Sequence, residues 1–131
     1  MRAYQVIEVM NEATIAAAST LPSTVAGTEC AVWDTTDVDD LALTVECVFG
    51  TAATGDVVVH VRTSPTGAEG TATGWDTEDY TSFTLTCVAA SRVQRTVVIE
   101  GDPKYMKALV ENKDAAVPVT DVVIIKTTTE A

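Results

Sequence analysis

The strongest constraint on this chain is a two-residue hydrophobic alternation that recurs along it. In Leu41-Ala42-Leu43-Thr44-Val45-Glu46-Cys47-Val48-Phe49, the residues Leu41, Leu43, Val45, Cys47 and Phe49 share one face of an extended strand. The same period returns where Val57, Val59 and Val61 alternate with Val58, His60 and Arg62, and again through Phe83, Leu85, Cys87 and Ala89. A helix, with its period of about 3.6 residues, would scatter these side chains around its surface, so each run is predicted to be a strand with one buried face. Composition agrees: aromatic residues make up only 5% of the 131, whereas β-branched Val and Thr, which suit a pleated surface, are abundant.

Reading along the chain, Tyr4 to Met10 is a strand or an extended arm, Asn11-Glu12 a turn, and Thr14 to Ala18 a second apolar stretch in which Ala16-Ala17-Ala18 favours helix and leaves its type open. Residues 1–13 are therefore set apart as an N-terminal strand or arm, and 14–131 as a single domain. Ser19 to Glu29, punctuated by Pro22 and Gly27, reads as loop, and Cys30-Ala31-Val32-Trp33 as a short strand. Gly50 to Gly55 turns the 41–49 strand into the one that follows, which predicts an antiparallel hairpin. A long Gly/Thr-rich loop from Ser64 to Ser82 holds Trp75-Asp76-Thr77-Glu78-Asp79-Tyr80 between two strands. Val93 to Glu100 is another strand, more exposed in its Arg92 to Arg95 half. Asp102-Pro103 followed by Met106, Leu109 and Val110 has the capping pattern of a helix, yet Met106, Ala108 and Val110 alternate and the run lies between strands, which favours strand. Val117 to Thr128 has a continuous apolar centre, as a strand inside a sheet does. About seven or eight strands separated by Gly/Asp/Thr turns predict an all-β fold, a single-domain β-sandwich with jelly-roll-like connections.

Charge narrows the partners. Eight basic residues against nineteen acidic ones give a net charge of -11, which opposes binding to a phosphate backbone, so no nucleic acid is expected. No apolar run approaches the ~18 residues of a membrane helix, and the start of the chain has no long apolar stretch of a cleaved signal, so a soluble chain with no membrane partner is expected. Cys30, Cys47 and Cys87 lack the paired spacing of a zinc or redox motif and read as small buried hydrophobes, which points weakly to a reducing compartment of synthesis. The acidic groups Asp34, Asp37, Asp39, Asp40 and Asp76, Glu78, Asp79 do not follow a calcium-loop spacing and read as solvated turns. As a glycosidase pair, Asp76 and Glu78 would need a sugar cleft lined by ring-stacking aromatics, and Trp75 and Tyr80 are the only aromatics near them in sequence, so this chemistry is not expected. His60 is the sole histidine and reads as an exposed strand residue without a Ser or Cys partner; Gly67, Gly70 and Gly74 do not form a phosphate cradle. No enzyme, cofactor or metal is expected. Trp33, Trp75, Asp76 and Tyr80 are the candidate interface, since aromatic side chains dominate contact hot spots; the competing role for the tryptophans is to plug the ends of the sandwich. Trp33-Asp34-Thr35-Thr36-Asp37 echoes Trp75-Asp76-Thr77-Glu78-Asp79, without a constant period in the flanking strands.

Several of these runs carry a resemblance. Thr14-Ile15-Ala16-Ala17-Ala18-Ser19-Thr20, the strand 56–62 leading into Thr63-Ser64-Pro65-Thr66-Gly67, Trp75-Asp76-Thr77, and Lys104-Tyr105-Met106-Lys107-Ala108-Leu109-Val110-Glu111-Asn112 before Val119-Thr120-Asp121-Val122 together resemble the small virion proteins of tailed bacteriophages, above all capsid decoration or cement proteins. The resemblance covers most of the chain from Thr14 onward. It implies a non-enzymatic β-sandwich that binds the major capsid protein and other copies of itself, often as trimers, and stiffens or decorates the shell of a virion built in the host cytoplasm. Where such proteins often carry Asp-Gly after the Ser, this chain has Pro65-Thr66-Gly67 and an insertion from Gly70 to Gly74. A tail or neck component is the alternative within the class, and a carbohydrate-binding module using Trp75 and Tyr80 the alternative outside it. No site residue is carried over from the resemblance.

Overall fold

A computed structural model describes residues 4–22, 33–34, 38–64, 75–99 and 105–130. Among them run nine strands: β1 (Tyr4–Ile15), β2 (Ser19–Pro22), β3 (Trp33–Asp34), β4 (Val38–Phe49), β5 (Val57–Ser64), β6 (Thr81–Leu85), β7 (Arg92–Ile99), β8 (Tyr105–Asn112) and β9 (Val119–Glu130). The first sheet has the order β1-β9-β4-β7 and the second β2-β8-β5-β6, with β3 also pairing β8. All pairings are antiparallel and nested: β1 takes β9, β2 takes β8, β4 takes β7 and β5 takes β6, with the pairs falling alternately in the two sheets. The early strands thus pair with the later ones in reverse order, as in a long hairpin rolled over on itself, which is the jelly roll. β2 lies beside residues 109–112 of β8 and β3 beside 105–106, so the two are successive pieces of one edge.

The alternation seen in the sequence fills the space between the sheets. Leu43, Val45 and Cys47 of β4, Val122 and Ile124 of β9, Val57, Val59 and Val61 of β5, and Met106, Ala108 and Val110 of β8 are fully buried and meet there. The 105–112 run is strand, and β9 is a central strand of its sheet, both as the pattern predicts.

Several local expectations are corrected. β4 and β5 do not form a hairpin: they belong to opposite sheets, and the 50–56 connection crosses the roughly 10 Å between them, which lets each apolar face look into the same core. Asn11-Glu12 is not a turn. β1 pairs with β9 along its whole length, a bulge between Glu8 and Met10 absorbs the change of register, and no break falls between residues 13 and 14. Burial of Val9, Met10 and Ile15 makes β1 part of the sandwich rather than an arm. Ala16-Ala17-Ala18 is a tight corner rather than a helix, with Ala18 at φ 52°, and Ser19–Pro22 is strand rather than loop. The strand after the long loop stops at Leu85, leaving Ala89 exposed. Expectations for Cys30, Asp37, the glycines at 67, 70 and 74, and Asp102-Pro103 lie outside the described residues.

One end of the sandwich is locked by polar side chains. The Asp114 carboxylate accepts the backbone N–H of Thr54 at 2.8 Å, Gly55 at 2.9 Å, Ala116 at 2.9 Å and Val117 at 2.8 Å. These four donors hold its carboxyl far below the usual carboxylate range. Buried Asn112 receives the Asp114 N–H on Oδ1 and donates from Nδ2 to the carbonyl of Val117 at 3.0 Å, with longer contacts to those of Ile15 and Ala16. Asp56 accepts from the Cys87 N–H with its side chain and from the Lys113 N–H with its carbonyl. Gly55 is required here: a Cβ would sit 2.4 Å from the Asp114 Cα.

Candidate interface

The outer face of the second sheet is charged and overlaid by residues 75–80. Ahead of β6 the chain already runs beside β5, the Tyr80 N–H donating to the Val61 carbonyl at 2.8 Å and the Asp76 N–H to that of Thr63 at 3.0 Å. The Thr63 hydroxyl donates to the Asp76 carboxylate at 3.0 Å. Asp79 then binds two outward-facing side chains of β5, His60 Nδ1 at 2.6 Å and Arg62 Nε at 2.6 Å, while His60 Nε2 meets Glu111 of β8 at 3.0 Å. Burial pulls the His60 pKa down, but the hydrogen bonds and negative charges of Asp79 and Glu111 outweigh it and leave it above its ordinary value. Burial likewise acts to raise Asp79, and its bonds to His60 and Arg62 overcome this and lower it. With a carboxylate on each ring nitrogen, the doubly protonated imidazolium is the form that satisfies both. The Lys107 ammonium lies 4.5 Å from the centre of the Trp75 ring, a cation–π contact that pins the same segment.

The four candidate interface residues do not form one patch. Trp33 pairs with Met106 on the inner side of the second sheet and is 3% exposed, so it belongs to the core; its buried indole N–H has no acceptor among the described residues. Trp75 is also buried, against Lys107 on the outer face. Asp76 is exposed but held by Thr63, at the rim of an open depression of about 440 Å³ that runs along 76–80. Tyr80 is 39% exposed and lies with Thr81, Val98 and Ile99 where the edges of the two sheets meet. The echo between Trp33-Asp34 and Trp75-Asp76 therefore covers two different positions, one inside a strand and one overlying a sheet. His60, read as a lone exposed residue, is the centre of an ion-pair network whose partners lie 19 and 51 residues away in sequence. No local spacing signals such partners.

The remaining titratable groups support packing. Cys47 is fully buried and burial, followed by the nearby Cys87 and Glu46, pushes its thiol up to about 12, so it behaves as an apolar side chain. Cys47 and Cys87 are both free thiols. Burial lowers the pKa of Lys126 on the inner face of β9, an effect countered in part by Asp34. Among the described residues, no group of three or more His, Cys, Asp or Glu is placed to hold a metal ion.

The outer face of the first sheet is different, and the sequence reading did not single it out. Its cross-strand rows follow from the register: Val6–Thr127–Ala42–Val98, and next to it Glu8–Ile125–Thr44–Thr96. Val6 and Val98, at opposite edges of one row, are 65% and 75% exposed. Thr44 and Thr96 share a hydrogen bond at 2.8 Å, and Arg92 pairs with Glu46 at 3.3 Å toward the other end of the face.

No protein-family model matches the sequence, and no curated protein matches it either. Solved structures do match. Murine APRIL is 10% identical, with 98% of this chain and 100% of that one covered at a TM-score of 0.51. The K1 cleaved adhesin domain of Lys-gingipain from Porphyromonas gingivalis W83 is 13% identical, with 98% of both chains covered at 0.50. VP2 of the infectious bursal disease virus subviral particle is 10% identical at 0.51, and the match takes in 98% of this chain but 33% of VP2. At such identities the likeness is one of fold alone, and it agrees with the jelly-roll pairing order described above.

Proposed function

We propose that this chain is a non-enzymatic structural protein of a tailed-phage virion, a capsid decoration protein that reinforces the head shell through many modest contacts. The observation that carries the reading is how the polar chemistry is used. His60, Arg62, Asp79 and Glu111 bind one another, and Asn112 and Asp114 bind backbone, so these groups fasten the chain's own segments. Meanwhile the outer face of the first sheet exposes Val6 and Val98 and carries Glu8, Asp40 and the Glu46–Arg92 pair as its charged groups, in a chain of net charge -11. That is the surface of a protein that works by contact. The sequence resemblance to decoration proteins supports the same reading, and the fold is one that the capsid protein VP2 also contains. The Trp75 ring faces Lys107 and is 9% exposed, which leaves little aromatic surface for stacking a sugar.

Co-sedimentation of the purified chain with capsids of the phage that encodes it tests this, with a glycan array alongside. Saturable capsid binding and no glycan binding are expected. Glycan binding abolished by Trp75→Ala, with no association with capsids, would replace the proposal by a carbohydrate-binding module.

A further inference from the structure

We propose that the outer face of the β1-β9-β4-β7 sheet is a self-association surface, on which two copies stack face to face about a two-fold axis parallel to the strands. This deepens the virion-protein reading and rests on it for the role of the contact, by naming the surface on which copies meet. Two bodies of net charge -11 repel, so a homomeric contact must form where each carries least charge. In the rows through Val6 and Glu8, only Glu8 is charged; on one side of them lies exposed Asp40, which accepts from the Thr129 hydroxyl, and on the other Glu46 pairs with Arg92. The outer face of the other sheet, by contrast, displays the His60, Arg62, Asp79 and Glu111 network and is overlaid by residues 75–80.

Size and side-chain type fit as well. Four strands about 4.8 Å apart, each with about eight residues rising 3.3 Å, give a face of roughly 500 Å². Two such faces bury about 1,000 Å², the lower bound of a specific interface. Val, Ile, Thr and Ala fill most of it and lose little rotamer freedom when covered.

The register selects the axis. The apolar row Val6–Thr127–Ala42–Val98 lies toward one end of the face, and the Arg92–Glu46 pair toward the other. A two-fold perpendicular to the strands would lay the apolar end of one copy on the polar end of the other. A two-fold parallel to the strands keeps each row over itself and reverses the strand order. β1 of one copy then overlies β7 of the second, and Val6 meets Val98 of the second copy, twice by symmetry. Sheets stacked in this way keep their strands within about 30° of each other, as the two sheets inside one sandwich do.

Analytical ultracentrifugation of the purified chain, without capsids, tests the inference. A concentration-dependent dimer is expected. Val98→Lys and Val6→Lys, each at an exposed position, should leave circular dichroism unchanged, and melting unchanged at concentrations where the parent chain is monomeric, and weaken the dimer by roughly tenfold or more, since each buries two unpaired charges. Because the two positions face each other, Val6→Lys combined with Val98→Glu should restore the dimer that Val6→Lys alone loses. Lys113→Ala, at an exposed position of the turn after β8 in the second sheet, should leave it intact. A chain that stays monomeric, a trimer (which a two-fold face cannot build), a dimer indifferent to both single substitutions, or a charge swap that fails to rescue would each overturn the proposal. None of these outcomes bears on capsid binding, which is measured separately.

Discussion

Asn112→Ala puts the heaviest load on the locked end of the sandwich. The Asn112 side chain is 0% exposed, donates to the Val117 carbonyl at 3.0 Å, and accepts the Asp114 N–H at 3.0 Å. Its contacts to the Ile15 and Ala16 carbonyls, both 3.4 Å, are long and count for less. Truncation removes two well-formed bonds and strands their partners in a place that water does not reach. At about 1–2 kcal/mol for each group left unpaired, the loss is about 2–4 kcal/mol. That is a large share of the roughly 5–15 kcal/mol that holds a domain together, and corresponds to a fall in melting temperature of roughly 10 °C. Urea unfolding followed by tryptophan fluorescence and by circular dichroism measures it, and the midpoint should drop with an unchanged slope. Lys113→Ala, at the exposed neighbouring position, is the control and should cost less than about 0.5 kcal/mol. A loss for Asn112→Ala as small as that of the control would refute the reasoning that this side chain ties the β1–β2 corner to the β8–β9 turn.

Ala18→Gly should stabilise the chain by about 0.5–1 kcal/mol in the same assay, because Ala18 holds φ 52° and the relief of left-handed strain exceeds the added freedom of the unfolded chain. Gly55→Ala should destabilise it by about 2 kcal/mol or more, since the Asp114 backbone that the new Cβ meets cannot move aside without breaking the lock. Trp33→Phe should cost under about 1.5 kcal/mol despite the smaller ring, because it also deletes a buried N–H that has no acceptor among the described residues. The same substitution leaves Trp75 as the only tryptophan and makes it a reporter of the 75–80 segment. His60 has a raised pKa, so its contribution is full below its ordinary 6.5 and fades as pH rises through its folded value. Asp79, whose pKa is lowered, contributes above 3.8 and fails as pH falls through its own folded value. The network is therefore tightest between about pH 4 and 6.5, and Trp75 emission should titrate above that window. A titration that survives His60→Gln, or its absence in the parent, would contradict this assignment.

The period of two was enough to read the fold class, because burial of one face leaves it in every inward strand: Leu41 to Phe49, Val57 to Val61 and Met106 to Val110 all point where the pattern puts them. Pairing was harder, since alternation shows which face is buried and is silent about which strand lies alongside. Hence β4 and β5, adjacent in sequence with a glycine-bearing turn between them, suggested a hairpin although they occupy opposite sheets. Ala16-Ala17-Ala18 misled for a related reason: helix propensity of a fraction of a kcal/mol per residue yields to the pairing of β1 and β2 on either side. Around the site, the lone histidine had no visible partner because Asp79 and Glu111 reach it across two strand pairings. The open face of the first sheet went unnoticed because Val6, Ala42, Thr127 and Val98 become neighbours only through the register of four strands.

The most direct test of the proposed virion role is the abundance of this chain in purified particles of the phage proposed to encode it, quantified by mass spectrometry against the major capsid protein. Many copies per particle, at a fixed ratio to the major capsid protein and retained through density-gradient purification, are expected of a shell-binding jelly roll. Its absence from washed particles, while it accumulates free in the lysate, would contradict the claim that it is a structural component of the virion.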